Sequence, residues 1–275
     1  MIPTKEVTFG VSTCGNTKAL LMCLSSILMA RNVPLKIQVR FEGQLPSFAD
    51  YYLEQLGDLA RFRKVQFELS LARSFGIRAA RDWQIEHCRT DWLWMGDEDA
   101  LYDYECLYYF ASTFKGNLNQ VAFFSGCKYD VNNRRGYQNF DMNIHGPQDL
   151  KDECFFNWPW HKEWCADRYA KTVVMDTGNS LIQVPLILKN RIKFQLFEES
   201  ANSGGEDTLF GLSCRKANLE AYFIPSAQAI HLGQPQLTHF GEHEARLNYV
   251  LAVCDLLGLD KQAAKKGLFS WLLDK

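Results

Sequence analysis

The first 125 residues alternate between short β-rich runs and helix-length runs, and this alternation constrains the fold more than any other feature. Residues 7–11 (VTFGV) are β-rich, and the STCGNT that follows offers Gly15 for a turn and Asn16 or Thr17 as a helix N-cap. Residues 18–31 read as a helix that is apolar nearly all round, so it should be buried, and it ends before Pro34. Residues 35–41 (LKIQVRF) alternate apolar and polar side chains, the signature of a second strand. A second helix is expected over 48–59, a third strand over 65–69 and a third helix over 77–88. A short apolar strand, WLWM at 92–95, then runs directly into Gly96-Asp97-Glu98-Asp99. Strand and helix alternating at this spacing imply right-handed crossovers and a mostly parallel sheet covered on both faces. Such sheets bind ligands beyond the carboxyl ends of their strands, where STCGNT, FEGQ and GDED all fall.

The character changes near residue 120. A strand is expected over 121–124, but 126–171 reads as long, irregular and aromatic, with Phe155, Phe156, Trp158, Trp160 and Trp164 inside CFFNWPWHKEWC. Those rings could stack on a sugar or a base, or pack a lid over the sheet. Regular pattern returns at 178–184, at a helix opening with Glu206-Asp207, and at 220–231; two C-terminal helices are expected over 242–257 and 261–273. With no repeat or linker, the 275 residues read as one α/β domain: a nucleotide-binding half (1–125), an acceptor half (126–231) and a helical extension (232–275). At this length about three quarters of the extended chain's surface can be buried.

A formal charge of -2 argues against a protein that coats nucleic acid. Nine cysteines, no two of them separated by two residues, suit reduced buried thiols better than a disulfide framework or a zinc ribbon. The longest apolar stretch, 19–30, is too short for a membrane span, and the N-terminus lacks the pattern of a signal peptide, so the cytoplasm is the expected compartment.

Asp97 and Asp99 are two residues apart, so on extended backbone their carboxylates point to the same side and repel unless a cation joins them. A hard divalent ion, Mn2+ or Mg2+, would do so. An acidic surface turn is the plainer alternative, but a position at a strand's carboxyl end favours the ion. Residues 61–89 carry seven Lys/Arg against three acids, while 91–105 carry six acids and no base. Phosphate oxygens and their bridging ion would draw on these two segments respectively. Gly204-Gly205-Glu206-Asp207 places carboxylates in a first helical turn, where the dipole favours them, and His231 ends the strand-like AQAIH. Taken singly, each of these two also reads as structural. Arg134 and Arg135 could meet a phosphate but more often such a pair is surface; His239 and His243, at helical spacing without a third ligand, read as structural.

In their order, these pieces resemble the GT-A-fold glycosyltransferases, closest to the large family-2 group of mostly inverting nucleotide-sugar enzymes. The carriers are VTFGVSTCGNTKALLMCLSSIL, GIRAARDWQIEHCRTDWLWMGDEDALYD and the block from TGNSLIQVPLILKN through GGEDTLFGL to AIHLG. The resemblance implies that Ser12 and Thr13 touch the nucleotide and that Arg81 supports the donor. It implies an Asp-x-Asp motif at Asp97 and Asp99, with Asp99 the direct metal ligand and Asp97 near the ribose or the ion. It makes Asp207 the general base, Glu206 its neighbour in the acceptor site, and His231 a further metal ligand. Two departures stand out: the family's Asp-Asp-Gly-Ser is Phe41-Glu42-Gly43-Gln44 here, leaving Glu42 to meet the base, and its common Asn after Ala-Arg is Asp82.

The implied activity is metal-dependent transfer of a sugar from a nucleoside-diphosphate sugar, UDP-sugar favoured, to an acceptor hydroxyl. A glycan is the expected acceptor; a hydroxymethylated base in DNA is the alternative, needing a flipped nucleotide and a basic groove. A non-catalytic binding protein should lack one of the two carboxylate sites, and both are intact. A nucleotidyltransferase should carry a glycine-rich basic loop after the first strand, where STCGNTK has one Gly and one Lys.

Overall fold

The computed structural model describes residues 1–43, 47–72, 76–130, 135–137, 169–172, 175–195 and 206–232. The aromatic segment 154–165, Arg134, the Gly204-Gly205 pair, His239, His243 and both expected C-terminal helices lie outside the described residues. Ten strands and six α-helices follow in chain order among those described. They are β1 (Val7–Thr13), α1 (Thr17–Met29), β2 (Lys36–Glu42), α2 (Ser47–Phe62), β3 (Gln66–Ala72), α3 (Gly76–His87), β4 (Trp92–Asp97) and β5 (Ala100–Tyr102). Then come α4 (Cys106–Ser112), β6 (Val121–Asp130), β7 (Arg135–Tyr137), β8 (Ala170–Lys171), β9 (Asn179–Gln183), α5 (Val184–Lys189), α6 (Glu206–Lys216) and β10 (Glu220–His231).

All strands join one sheet whose main path runs β3-β2-β1-β4-β9-β6-β10-β5, with β7 on β6 and β8 on β10. The first four strands of that path pair in parallel, as the alternating sequence implies. Further along, β9 lies antiparallel between β4 and β6, β10 runs parallel to β6, and β5 runs antiparallel to β10. Six of the eight strands on the path therefore share one direction, β9 and β5 being the exceptions, and the sheet is mostly parallel.

Side chains alternate across the sheet with period two, which splits the core into two layers. Trp92 and Trp94 of β4 pack with α1, α2 and α4, while Leu93 and Met95 pack with α3, α5 and α6. Phe124 and Phe123 of β6 divide in the same way. Helix α1 starts where expected, because the Asn16 side chain accepts from the Ala19 N–H and Gly15 turns at φ +116°. Its Leu20, Leu24, Ile27 and Leu28 are buried against the sheet.

Several elements escaped the sequence pattern, β7, β8 and α5 among them. The run 126–130, read as irregular, continues β6 to Asp130. Helix α4 and the three-residue β5 were not foreseen, and β5 has the larger consequence. Its pairing sets Ala100 opposite His231, and the Leu232 N–H donates to the Asp99 carbonyl at 2.8 Å. The last residues of β10 are thereby brought beside the acidic triplet.

Tyr102, at the end of β5, locks the same corner. Its hydroxyl donates to the Gly178 carbonyl at 2.7 Å and accepts from the Asp97 N–H at 3.1 Å. Gly96 leaves the room for it, since a Cβ there would run into the Tyr102 hydroxyl and the Phe9 ring, both held by packing. Gly96→Ala should therefore cost about 1–3 kcal/mol through overpacking. In thermal unfolding that corresponds to roughly 2–4 °C per kcal/mol for a domain of this size; a melting temperature within one degree of the parent would contradict the packing account.

Candidate active site at the carboxyl end of the sheet

β4 ends on Asp97, and the chain turns through Glu98 and Asp99 into β5. The Asp97, Asp99 and His231 ligand atoms all lie within 4.8 Å of one another. Asp99 Oδ1 is 3.2 Å from His231 Nε2, and His231 is nearly buried. A divalent ion bound at about 2.1 Å would hold opposite donors about 4 Å apart, so small side-chain shifts suffice to bring these atoms around one. Two carboxylates suit a hard ion such as Mn2+, and the imidazole adds a nitrogen donor. The donor set fits the ion that the sequence implies.

Asp97 is also held by cations. Lys128 of β6 donates to Asp97 Oδ2 at 2.9 Å, and Arg81 Nη2 lies 3.7 Å from Oδ1. Burial disfavours the charged carboxylate, but Lys128 foremost and then Arg81 outweigh it and hold the Asp97 pKa well below the ordinary range. Lys128 also lies 3.0 Å from Asp176, and although burial opposes its charge, Asp176 and Asp97 keep it firmly protonated. For His231, too, burial acts against the charged form, while the hydrogen bond to Asp99 raises the pKa above the usual value. Between the two aspartates, Glu98 turns back onto β1, where the Thr13 side chain and the Cys14 N–H bond it; burial nonetheless pushes its pKa up to about 7.

On the other flank, Arg81 of α3 is buried and its Nη1 donates to Glu206, the first residue of α6. One guanidinium thus links the end of β4 to the N-terminus of α6, where the next residue is the half-buried Asp207. Asp82, which departs from the family's Asn, accepts from the Phe194 N–H at 3.0 Å, and the Phe194 ring stacks on Phe210 of α6.

The sequence-expected residues divide into two groups. Asp97, Asp99, His231, Arg81 and Glu206 form one connected network, with Asp207 adjacent to it. Ser12, Thr13 and Glu42 sit at the neighbouring strand ends. Ser12 bonds the Gln84 side-chain amide at 2.8 Å, and its backbone is in register with Asp97. Thr13 reaches the triplet through Glu98. Glu42 is almost wholly buried beside Arg40, 3.3 Å away, and the Cys14 thiol points at its other oxygen.

Lys128, Asp176 and Tyr102 were missed in the sequence. A signal for Lys128 existed: it is the lone charge in VAFFSGCK, and lysine seldom enters an apolar strand unpaired.

No family model matches the sequence, and neither does any curated protein. Solved structures do match. Residues 1–349 of S. aureus TarS align over 97% of this chain and 69% of that one, with a TM-score of 0.59 and 13% identity. The same TarS fragment in complex with UDP-GlcNAc gives a TM-score of 0.56 at 13% identity, over 97% and 70%. The mannosyltransferase PcManGT from Pyrobaculum calidifontis, in complex with GDP-Man and Mn2+, gives 0.57 at 12% identity, over 98% and 68%. At such identities the likeness establishes the fold, and that fold is the GT-A arrangement expected from the sequence.

Arg81→Met should destabilise the protein by about 3–5 kcal/mol in urea unfolding, because it strips the guanidinium from the buried Glu206 carboxylate. Adding Glu206→Gln should recover part of the loss. If Arg81→Met cost less than about 1 kcal/mol, the link from β4 to α6 would not be holding the site together.

Proposed function

We propose that this chain is a metal-dependent glycosyltransferase that moves a sugar from a nucleoside-diphosphate sugar to an acceptor hydroxyl. The observation that carries the reading is the convergence of Asp97, Asp99 and His231 at the carboxyl end of a GT-A sheet, tied by Arg81 to the acidic start of α6. Structures of this fold bound to UDP-GlcNAc, and to GDP-Man with Mn2+, support a nucleoside-diphosphate sugar as donor. A UDP-sugar is the favoured donor and a glycan the favoured acceptor.

In this reading Asp99 and His231 hold the divalent ion, with Asp97 close to it or to the donor ribose. Such an ion supplies stabilisation for the negative charge that develops on the departing diphosphate. Ser12 and Thr13, at the end of β1, meet the nucleotide, and Glu42, at the end of β2, meets its base. Arg81 adds a fixed positive charge between the donor carboxylates and α6. Asp207 accepts the proton of the acceptor hydroxyl as its oxygen bonds the anomeric carbon and the bond to diphosphate breaks. Such a positioned base contributes about 10²–10⁴-fold. Attack opposite the leaving group inverts the anomeric centre. Glu206, bound to Arg81, fixes the first turn of α6 and so aims its neighbour.

Three outcomes test this reading. Asp207→Asn should lower transfer by at least about 100-fold while leaving nucleotide binding within about twofold; a comparable loss of nucleotide binding would remove Asp207 from the role of base. Asp99→Ala should abolish the dependence of nucleotide binding on Mn2+, and unchanged dependence would contradict its assignment. In a panel of nucleoside diphosphates, one base should raise the melting temperature strongly and only with Mn2+, since a ligand at 100 times its Kd adds about 2.7 kcal/mol. A flat panel would argue against a donor site here.

A further inference from the structure

The three candidate metal ligands do not stand in equal surroundings. Asp99 is paired with His231, itself a metal-ligating type of side chain. Asp97 instead faces a fixed cation from each side, Lys128 on Oδ2 and Arg81 on Oδ1. The Lys128 side chain is only 12% exposed, and its ammonium is seated between Asp97 and Asp176 at 2.9 and 3.0 Å. Asp176 is fixed in turn, because its Oδ1 accepts from the Gly178 N–H at 2.8 Å. Any Cβ at position 178 would collide with the Asp97 carboxylate and the Lys128 ammonium. A glycine therefore keeps open the slot in which the ion pair lies. Such a built arrangement occupies the Asp97 oxygen that would otherwise be a strong ligand, and it sets a unit positive charge beside an incoming cation.

We infer that Lys128 is a positioning residue, a built-in counter-ion that withholds the Asp97 carboxylate from the divalent ion. The ion is then held by Asp99 and His231 alone among the three. It binds the protein weakly by itself and firmly only when donor diphosphate oxygens complete its shell. Asp97 remains a carboxylate of fixed orientation, suited to accept hydrogen bonds from a neutral donor hydroxyl. The inference rests on the reading of Asp99 and His231 as ion ligands, and it assigns to Lys128 the order in which metal and donor assemble.

The test is a titration of the 275-residue chain with Mn2+ alone, without nucleotide or acceptor, counting free Mn2+ by its electron paramagnetic resonance signal. Four proteins are compared: the parent, Asp97→Asn, the double variant Lys128→Met/Asp176→Asn, and the double variant carrying Asp97→Asn as well. The double substitution removes one charge of each sign, so the local net charge is unchanged and no carboxylate is orphaned. Asp97→Asn alone should leave Mn2+ affinity within about twofold of the parent, because Lys128 already occupies that carboxylate. The double variant should bind Mn2+ at least about tenfold more tightly, and the triple variant should lose that gain. Lys128→Arg, which keeps a cation in the slot, should bind as the parent does.

A tenfold loss in Asp97→Asn alone would overturn the inference, because Asp97 would then already be a ligand. A double variant no tighter than the parent, or no Mn2+ binding by any of the proteins, would overturn it equally. Should the double variant fail to fold, Lys128→Gln takes its place: it should also bind Mn2+ more tightly than the parent, lose the gain with Asp97→Asn, and overturn the inference if it does neither. The readout contains no sugar transfer. A protein that behaves as predicted here but transfers no sugar would sink the proposed activity and leave the role of Lys128 standing.

Discussion

The carboxyl end of this sheet gathers several carboxylates into a small, poorly solvated space. Asp97, Asp99, Asp176 and Glu206 all converge there, and two unit charges 4 Å apart interact by about 4 kcal/mol at the effective dielectric near a protein surface. Three basic side chains resolve the conflict: Lys128 between Asp97 and Asp176, Arg81 between Asp97 and Glu206, and His231 on Asp99. They come from β6, α3 and β10, so the charge balance ties distant parts of the chain together at one point. Removing any of them leaves a carboxylate short of a partner. The geometry of the site and the stability of the fold therefore rest on the same contacts.

The backbone makes those contacts possible through small residues and a short strand. Gly96, in β4, and Gly178, just before β9, leave space for the Tyr102 hydroxyl, the Asp97 carboxylate and the Lys128 ammonium. β5 contributes only three residues, yet its pairing with β10 sets His231 next to Asp99. Its stability comes from its surroundings: Tyr102 meets Phe9 and Trp94 edge-on at 5.4 and 5.0 Å, in the geometry that aromatic rings favour.

Much of this was legible in the sequence. The four parallel strands follow from apolar runs of strand length alternating with helix-length segments. The place of Asp97 at a strand's carboxyl end follows from WLWM, and the acids opening α6 from GGED. What the pattern could not carry were elements too short for a period to register, such as β5, and a strand order that skips along the chain. The antiparallel entry of β9 between β4 and β6 is of the second kind, since nothing local in NSLIQ selects those neighbours. Lys128 lay in plain view as the one charge in VAFFSGCK, but its partners are 31 and 48 residues away. Pairing across such separations is a tertiary fact. The resemblance to the glycosyltransferases supplied residues by motif, whereas Lys128 and Asp176 lie outside its quoted stretches and the part played by Tyr102 emerges only from packing.

The central claim is that a divalent ion and a nucleoside diphosphate meet at Asp99 and His231. The most direct measurement is anomalous diffraction from crystals of the protein grown with Mn2+ and the nucleoside diphosphate that stabilises it best. The account predicts one strong manganese peak within bonding distance of Asp99 and His231 and in contact with the diphosphate. A peak elsewhere, or a diphosphate bound at this end of the sheet with no manganese beside Asp99, would contradict it.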